Sequence, residues 1–453
     1  MENPASLPLL NSMQERLFVY SSNKEHCLKK TADEKLEKSP GKIRKFFSSL
    51  GPGLITGASD DDPSGIATYS QAGAGFGLTT LWTSLITFPL MASIQEMCAR
   101  IGAVTSSGLS GVLKKHYPKW FLYLAMIFSF PAIIFNIGAD IESMGAVMHL
   151  LFPQIPIFVF EIAFTCMILY AVIKYTYQQL AYILKWLCLV LFIYLIIPFL
   201  VKVNWGDVVR HTFIPTFKFD KEFLEIIVAI LGTTISPYLF FWQATMEAED
   251  VSHGKKTVVV DKLFLRNLKI DTYTGMFFSN LVMFFIILTT GVVLYNGGIR
   301  NIETVDQAAK AMEPLAGNVA YVLFAIGIIG TGFLAIPVLA GSLSYIVAET
   351  FSMKQGLEKK FTEAPGFYIV VIISFVAGLS MDFFHFSPMK ALIYTAILYG
   401  LTAPFMIGII LHICNNKKVM KDSVNSRTAN ILGFITLILM TISAAALIYF
   451  QFK

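Results

Sequence analysis

Long apolar runs separated by short polar stretches repeat from about residue 49 to residue 450. A window of about 19 residues turns that pattern into eleven predicted membrane-crossing helices. They fall near 49–76, 79–101, 119–150, 155–174, 180–202, 222–245, 270–295, 317–349, 365–384, 389–413 and 428–450. Two of the eleven are interrupted. The first contains "GASDDDPSGI", where Pro63 removes a backbone donor and Ser64-Gly65 loosens the chain between flanks too short to cross alone. The sixth contains "LGTTISPYLFFWQ", where Gly232, Thr233, Thr234, Ser236 and Pro237 have the same effect. Spans one and six hold matching places in two sets of five, and an odd number of spans inverts the second set in the membrane. The predicted fold is therefore an all-α polytopic membrane protein of about eleven helices, a 5+5 inverted repeat with broken helices 1 and 6. The expected divisions are a disordered cytoplasmic tail over 1–45, a first repeat over 46–205, a second over 206–415, and helix 11 over 416–453.

Composition agrees with that pattern and removes other classes. Of the 453 residues, 55% are hydrophobic and only 14% charged, where a soluble domain carries about a quarter. Mean hydropathy is +0.64. Most Lys and Arg fall on the same side as the polar, Lys-rich N-terminal tail, which puts the N-terminus in the cytoplasm and the C-terminus outside, in the plasma membrane. Basic loops such as "KKHYPK" then set topology against lipid headgroups and do not bind nucleic acid. The five cysteines lack pairing or metal-ligand spacing, and four lie in or beside apolar segments as small hydrophobes. No nucleophile–base pair or phosphate-binding loop stands out, so the chain does not read as an enzyme.

Paired interrupted helices in corresponding halves point to the site of a secondary transporter, because non-helical backbone at mid-bilayer is tolerated where it lines a cavity. An acidic side chain at a helix centre costs about 2.5–3.5 kcal/mol on insertion scales, so three in a row need a partner. A cation is the natural one. With no His, Cys or Met inside either break, the donors are all oxygen, which suits hard divalent ions. Asp62 is the first ligand, followed by carbonyls near Gly65 and Thr233, with Ser236 and Thr234. Asp60 and Asp61 would act at longer range. Asp140 and Glu142, in "FNIGADIESMGAVMHLLF", are further intramembrane acids; two positions apart on a helix, they point about 200° away from each other. Glu96 and Arg100 have ion-pair spacing, Asn280 could bond a neighbouring helix, and "EAEDVSHGKKTVVVDKLFLRNLKI" reads as an interfacial cytoplasmic helix.

The stretch "GPGLITGASDDDPSGIATYSQAGAGFG" resembles the first helix of the NRAMP divalent metal transporters, whose motif there is Asp-Pro-Gly-Asn. "GTTISP" is similar to their sixth-helix Ala-x-x-Met-Pro-His region, and "GNVAYVLFAIGIIGTGFLAIPVLAGSLSYIVAETF" to their eighth helix. The resemblance covers about residues 45–445 and implies the LeuT-type arrangement and metal uptake into the cytosol. It puts Asp62 at the metal-binding aspartate, Gly65 at the ligand asparagine, Thr233 at the alanine that gives a carbonyl, and Ser236 at the ligand methionine. Tyr238 and Gln243 replace two histidines linked to proton movement, and Ala396 falls near a glutamine. Acidic residues on the third helix belong to the family's proton route, where Glu142 fits the spacing better than Asp140. Asp60 and Asp61 have no acidic counterpart.

Without the thioether and the histidines, the pattern looks most like the NRAMP-related magnesium transporter branch. The expected function is import of Mg²⁺ and/or Mn²⁺ by alternating access, weakly or not proton-coupled, with the metal as substrate, no cofactor, and a monomer in the bilayer. A proton-coupled Mn²⁺/Fe²⁺ symporter is the alternative, and an organic-solute symporter on the same fold a more remote one.

Overall fold

The computed structural model describes residues 52–176, 179, 193–196, 199–200, 202–253, 260–310, 320–381 and 387–451. The expected tail over 1–45 and most of the fifth predicted span lie outside them. The first predicted span consists of two short helices, α1 (Pro52–Asp60) and α2 (Pro63–Phe76). Asp62 is the N-cap of α2 and Pro63 its first residue, a pairing that starts a helix for local reasons: the carboxylate accepts an orphan N–H, and proline supplies a preset φ. α2 and a short 3₁₀ extension then meet α3 (Trp82–Thr105) at 110°, so the chain turns back between the first and second spans.

After α4 (Leu109–His116) come α5 (Lys119–Leu151) and α6 (Ile157–Lys174), within a residue or two of expectation. The sixth span is α8 (Lys221–Thr234) and α9 (Pro237–His253), again two helices with proline opening the second. The remaining long helices are α10 (Lys262–Thr290), α11 (Ala320–Phe351), α12 (Pro365–Leu379), α13 (Pro388–Asn415) and α14 (Arg427–Gln451). Seven stretches among the described residues are each long and apolar enough to cross a membrane. The two halves of span one, α3, and the 15-residue α12 complete the described set.

Two details differ from the sequence pattern. The connection before the sixth span contains α7 (Trp205–Phe213), capped by Asn204, which the long polar–apolar mixture there concealed. The expected interfacial helix after span six is absent among the described residues. Its N-terminal part continues α9 to His253 and its C-terminal part begins α10 at Lys262, under an Asp261 cap. Each piece thus continues a membrane helix, and residues 254–259 between the two lie outside the described set.

The broken helices sit at the centre. α1 packs on α10 with glycine meeting glycine: a Cβ at Gly57 would lie 2.8 Å from the Cα of Gly275. α8 approaches α13 as closely, where a Cβ at Gly232 would lie 2.8 Å from the Cα of Gly400. Small residues at such crossings let backbones touch, the usual basis of helix association where lipid is as apolar as leucine. The outer helices face the other way. α14 exposes Ile431, Phe434, Ile435, Ile438 and Ile442, one stripe at helical spacing suited to acyl chains.

Candidate cation site

At the first break, residues 61–62 leave the helix, and the three aspartates separate into two directions. All three are buried, at 1% exposure or less. Asp62 Oδ1 accepts the Gly65 N–H at 2.7 Å and the Ser64 hydroxyl at 2.6 Å, while Oδ2 accepts Asn136 Nδ2 at 2.9 Å. Three donors and the N-terminal end of α2 thus converge on this carboxylate. Asp60 and Asp61 turn to α10 instead. The Ser279 hydroxyl donates to Asp60 Oδ2 at 2.9 Å and lies 3.4 Å from Asp61 Oδ1. Asp60 Oδ1 and Asp61 Oδ2 have no hydrogen-bond partner among the described residues.

The second break faces the first. α8 stops at Thr234, and the Ser236 hydroxyl folds back onto the Gly232 carbonyl at 3.2 Å and onto the Thr233 carbonyl. The Thr233 hydroxyl stands 3.5 Å from that of Ser64. Tyr69 and Thr234 hydroxyls meet at 3.2 Å, and Tyr238 donates to the Ser59 carbonyl at 2.7 Å. Contacts spanning more than 160 positions of sequence therefore join the two unwound stretches residue by residue. A Cβ at Gly65 would be a tight fit, with Asp60 O at 3.2 Å, Tyr69 at 3.4 Å and Thr233 Oγ1 at 3.5 Å, so the Asp60 carbonyl would have to give by a few tenths of an ångström.

Other candidates stand farther along the same helices. Gln243 accepts from Thr56 on α1 and donates to Glu247 at 2.9 Å, below the break and not in it. On α5, Asp140 is fully buried and shares a helix face with Asn136 one turn earlier. Glu142 is half-buried on another face, so the two acids of this helix are not brought together. Asn136 pairs with a buried carboxylate of another helix, Asp62 at the cap of α2.

Several neighbours carried no signal in their local sequence: Tyr69, Ser279, Tyr399 and Met283. Asn136 and Asp140 had one, since their i, i+4 spacing puts two polar groups on one face of an apolar helix. The Met283 sulfur lies 3.8 Å from the Thr234 hydroxyl and 3.9 Å from that of Thr87, so a thioether comes within one residue of the second break. Among the described residues no three His, Cys, Asp or Glu side chains converge as a resident metal would require. What converges is one carboxylate, hydroxyls, a carboxamide and unwound backbone. Such a set suits a hard cation that keeps part of its water shell.

Two secondary candidates proved structural. Arg100 and Glu96 form the expected ion pair at 3.1 Å, and Arg100 also donates to the Ser423 and Val424 carbonyls, each at 3.1 Å. Asn280 accepts from Thr87 at 2.8 Å across the α3–α10 contact.

Comparison with known proteins gives a consistent picture. Residues 53–450 match the family described as Nramp, natural resistance-associated macrophage protein-like. The chain is 25% identical over 423 residues to the divalent metal cation transporter MntH of Caldanaerobacter subterraneus subsp. tengcongensis, covering 91% of this chain and 95% of that one. It is also 25% identical over 426 residues to the MntH of Clostridium acetobutylicum, covering 90% and 92%. Among solved structures, a mutant of the Eremococcus coleocola manganese transporter superposes with a TM-score of 0.70 at 17% identity, over 90% of this chain and 87% of that one. The nucleobase-cation-symport-1 transporter Mhp1, in a closed conformation, shares the fold more distantly, with a TM-score of 0.56 at 13% identity over 88% and 92%.

Proposed function

The chain belongs to the Nramp family of membrane transporters, and from that premise we propose that it imports divalent metal cations, Mg²⁺ and/or Mn²⁺, by alternating access. One observation carries this reading: a buried carboxylate, Asp62, is held by three donors in the gap of one broken helix, directly opposite the gap of the other. The cation binds Asp62 first and completes its shell with Thr233, Ser236, unwound backbone at Gly65, and retained water. Asp60 and Asp61 act from α10's side through charge alone. The five helices of 46–205 and those of 206–415 serve as the two repeats that rock about this point. The N-terminus lies in the cytoplasm and the C-terminus outside.

The oxygen donors gathered at the two breaks favour Mg²⁺ and Mn²⁺ over softer ions. The Met283 sulfur beside the second break already contacts two threonine hydroxyls. Tyr238 and Gln243 offer no imidazole to carry a proton, and inward movement does not require one. A divalent ion gains about 4.6 kcal/mol per 100 mV of inside-negative potential, twice the single-charge figure. That supports a gradient on the order of 10³.

The proton-coupled alternative is favoured by one observation, the buried Asp140 beside Asn136, and the same experiment separates the two readings. Mg²⁺, Mn²⁺ and Ca²⁺ entry into proteoliposomes is recorded at fixed potential together with internal pH. Metal entry without matched acidification is expected, and acidification that scales with flux would establish coupling. The Asp62→Ala protein should insert yet lose metal entry; flux at the wild-type level would remove the assignment.

A further inference from the structure

Gly65 has no side chain where the resemblance calls for a ligand asparagine, but a carboxamide reaches the same place from another helix. Asn136 of α5 is 0% exposed, and its Nδ2 lies 2.9 Å from Asp62 Oδ2. Its Oδ1 is buried with no hydrogen-bond partner among the described residues. One turn on, both carboxylate oxygens of the 0%-exposed Asp140 are likewise without one. The Tyr399 hydroxyl, whose ring lies 5.6 Å from that of Tyr238, is also without a hydrogen-bond partner among the described residues. Buried polar atoms in native proteins are overwhelmingly paired, so this concentration beside Asp62 marks a place where another polar partner belongs.

We propose that Asn136 is a cation ligand: its side-chain oxygen coordinates the ion bound at Asp62, so α5 supplies the carboxamide that the broken first helix lacks. The inference rests on the metal-transport reading above. A carboxamide presents a donor and an acceptor of nearly equal shape. Facing a bare carboxylate, it turns its N–H₂ inward, as seen here. With a divalent ion against Asp62, a half-turn about the terminal torsion brings the oxygen inward instead. A neutral oxygen also adds coordination without adding charge, which keeps binding weak enough for release. The same motion would couple α5 to the occupancy of the site.

Mn²⁺ and Mg²⁺ binding to the purified full chain, measured by calorimetry, distinguishes a ligand from a residue that only positions Asp62. Loss of even an outer partner typically weakens metal affinity about 10–100-fold, so Asn136→Leu should weaken both ions by at least about tenfold. Asn136→Asp keeps an oxygen but donates nothing to Asp62, and should bind Mn²⁺ at least as tightly as wild type. Adding Gly65→Asn to Asn136→Leu returns a carboxamide to the first break, where the Asp60 carbonyl must give by a few tenths of an ångström, and should restore affinity to within about threefold of wild type. The proposal is overturned if Asn136→Asp is as weak as Asn136→Leu, or if Asn136→Leu binds like wild type. If Asp62→Ala also binds like wild type, the transport site itself is misplaced. If Asp62→Ala abolishes binding while Asn136→Leu does not change it, only the role of Asn136 fails.

Discussion

The position of the first break depends on α1 lying in backbone contact with α10, and Gly57→Ala tests that contact directly. The new Cβ would sit 2.8 Å from Gly275 Cα and nearer still to its carbonyl group. Carbon atoms pack at about 3.5–4.0 Å, so the helices must part by roughly 1 Å. Every nearby atom is backbone, and no rotamer change can relieve the overlap. Overpacking of this kind costs about 1–3 kcal/mol. The displaced helix also carries Asp60 to Asp62, so the shift reaches the site itself. Thermal melting of the detergent-solubilised protein by fluorescence size exclusion should show Tm lower by at least about 2 °C. Mn²⁺ entry into liposomes should fall with it. Gly408→Ala is the control: nothing lies within 4 Å of a Cβ there, so that variant should be neutral or gain up to about 1 kcal/mol. A Gly57→Ala protein with wild-type Tm and wild-type flux would refute the close-contact account of how the broken helix is held.

Other expectations follow from single contacts. Tyr238→Phe removes the 2.7 Å bond to the Ser59 carbonyl, and a buried hydrogen bond of this sort is worth about 0.5–1.5 kcal/mol net. Transport should therefore persist with changes within about tenfold, and complete loss would give the hydroxyl a direct part in translocation. Gln243→His places an imidazole between Thr56 and Glu247; metal flux, expected to be flat with external pH in the wild type, should acquire a dependence between about pH 5.5 and 7.5. A wild type already steep over that range would contradict uncoupled import. Arg100→Ala strips the tie between α3 and the 423–425 segment and leaves Glu96 unpaired, so Tm should drop with binding at Asp62 intact. Loss of Mn²⁺ affinity in that variant would mean that the ion pair reaches the site.

Much of this protein was legible from the chain alone because the relevant forces act locally. Apolar runs long enough to cross a bilayer can only be helices there, since lipid offers no partner for an open backbone. Proline after a short polar residue ends one helix and starts the next whatever surrounds it, which located both breaks and made Asp62 a cap. The stretch after span six shows the complementary case: a mixed charged and apolar sequence leaves open whether it lies on the surface or extends a neighbour, and its described ends continue α9 and α10.

The sequence by itself determined an all-α membrane fold, the two breaks, and the presence of acid and oxygen at mid-bilayer. Only the tertiary structure decided which oxygens meet. Asp60 and Asp61 face Ser279, while Asp62 faces Asn136, although the three acids are consecutive. Their directions depend on where the backbone unwinds and how each helix is rotated against its neighbours. Those angles are set by contacts such as Gly57 on Gly275 and Gly232 on Gly400, between residues more than 160 positions apart. No local pattern encodes such a rotation, because a helix looks the same to its own sequence whichever way its neighbours turn it.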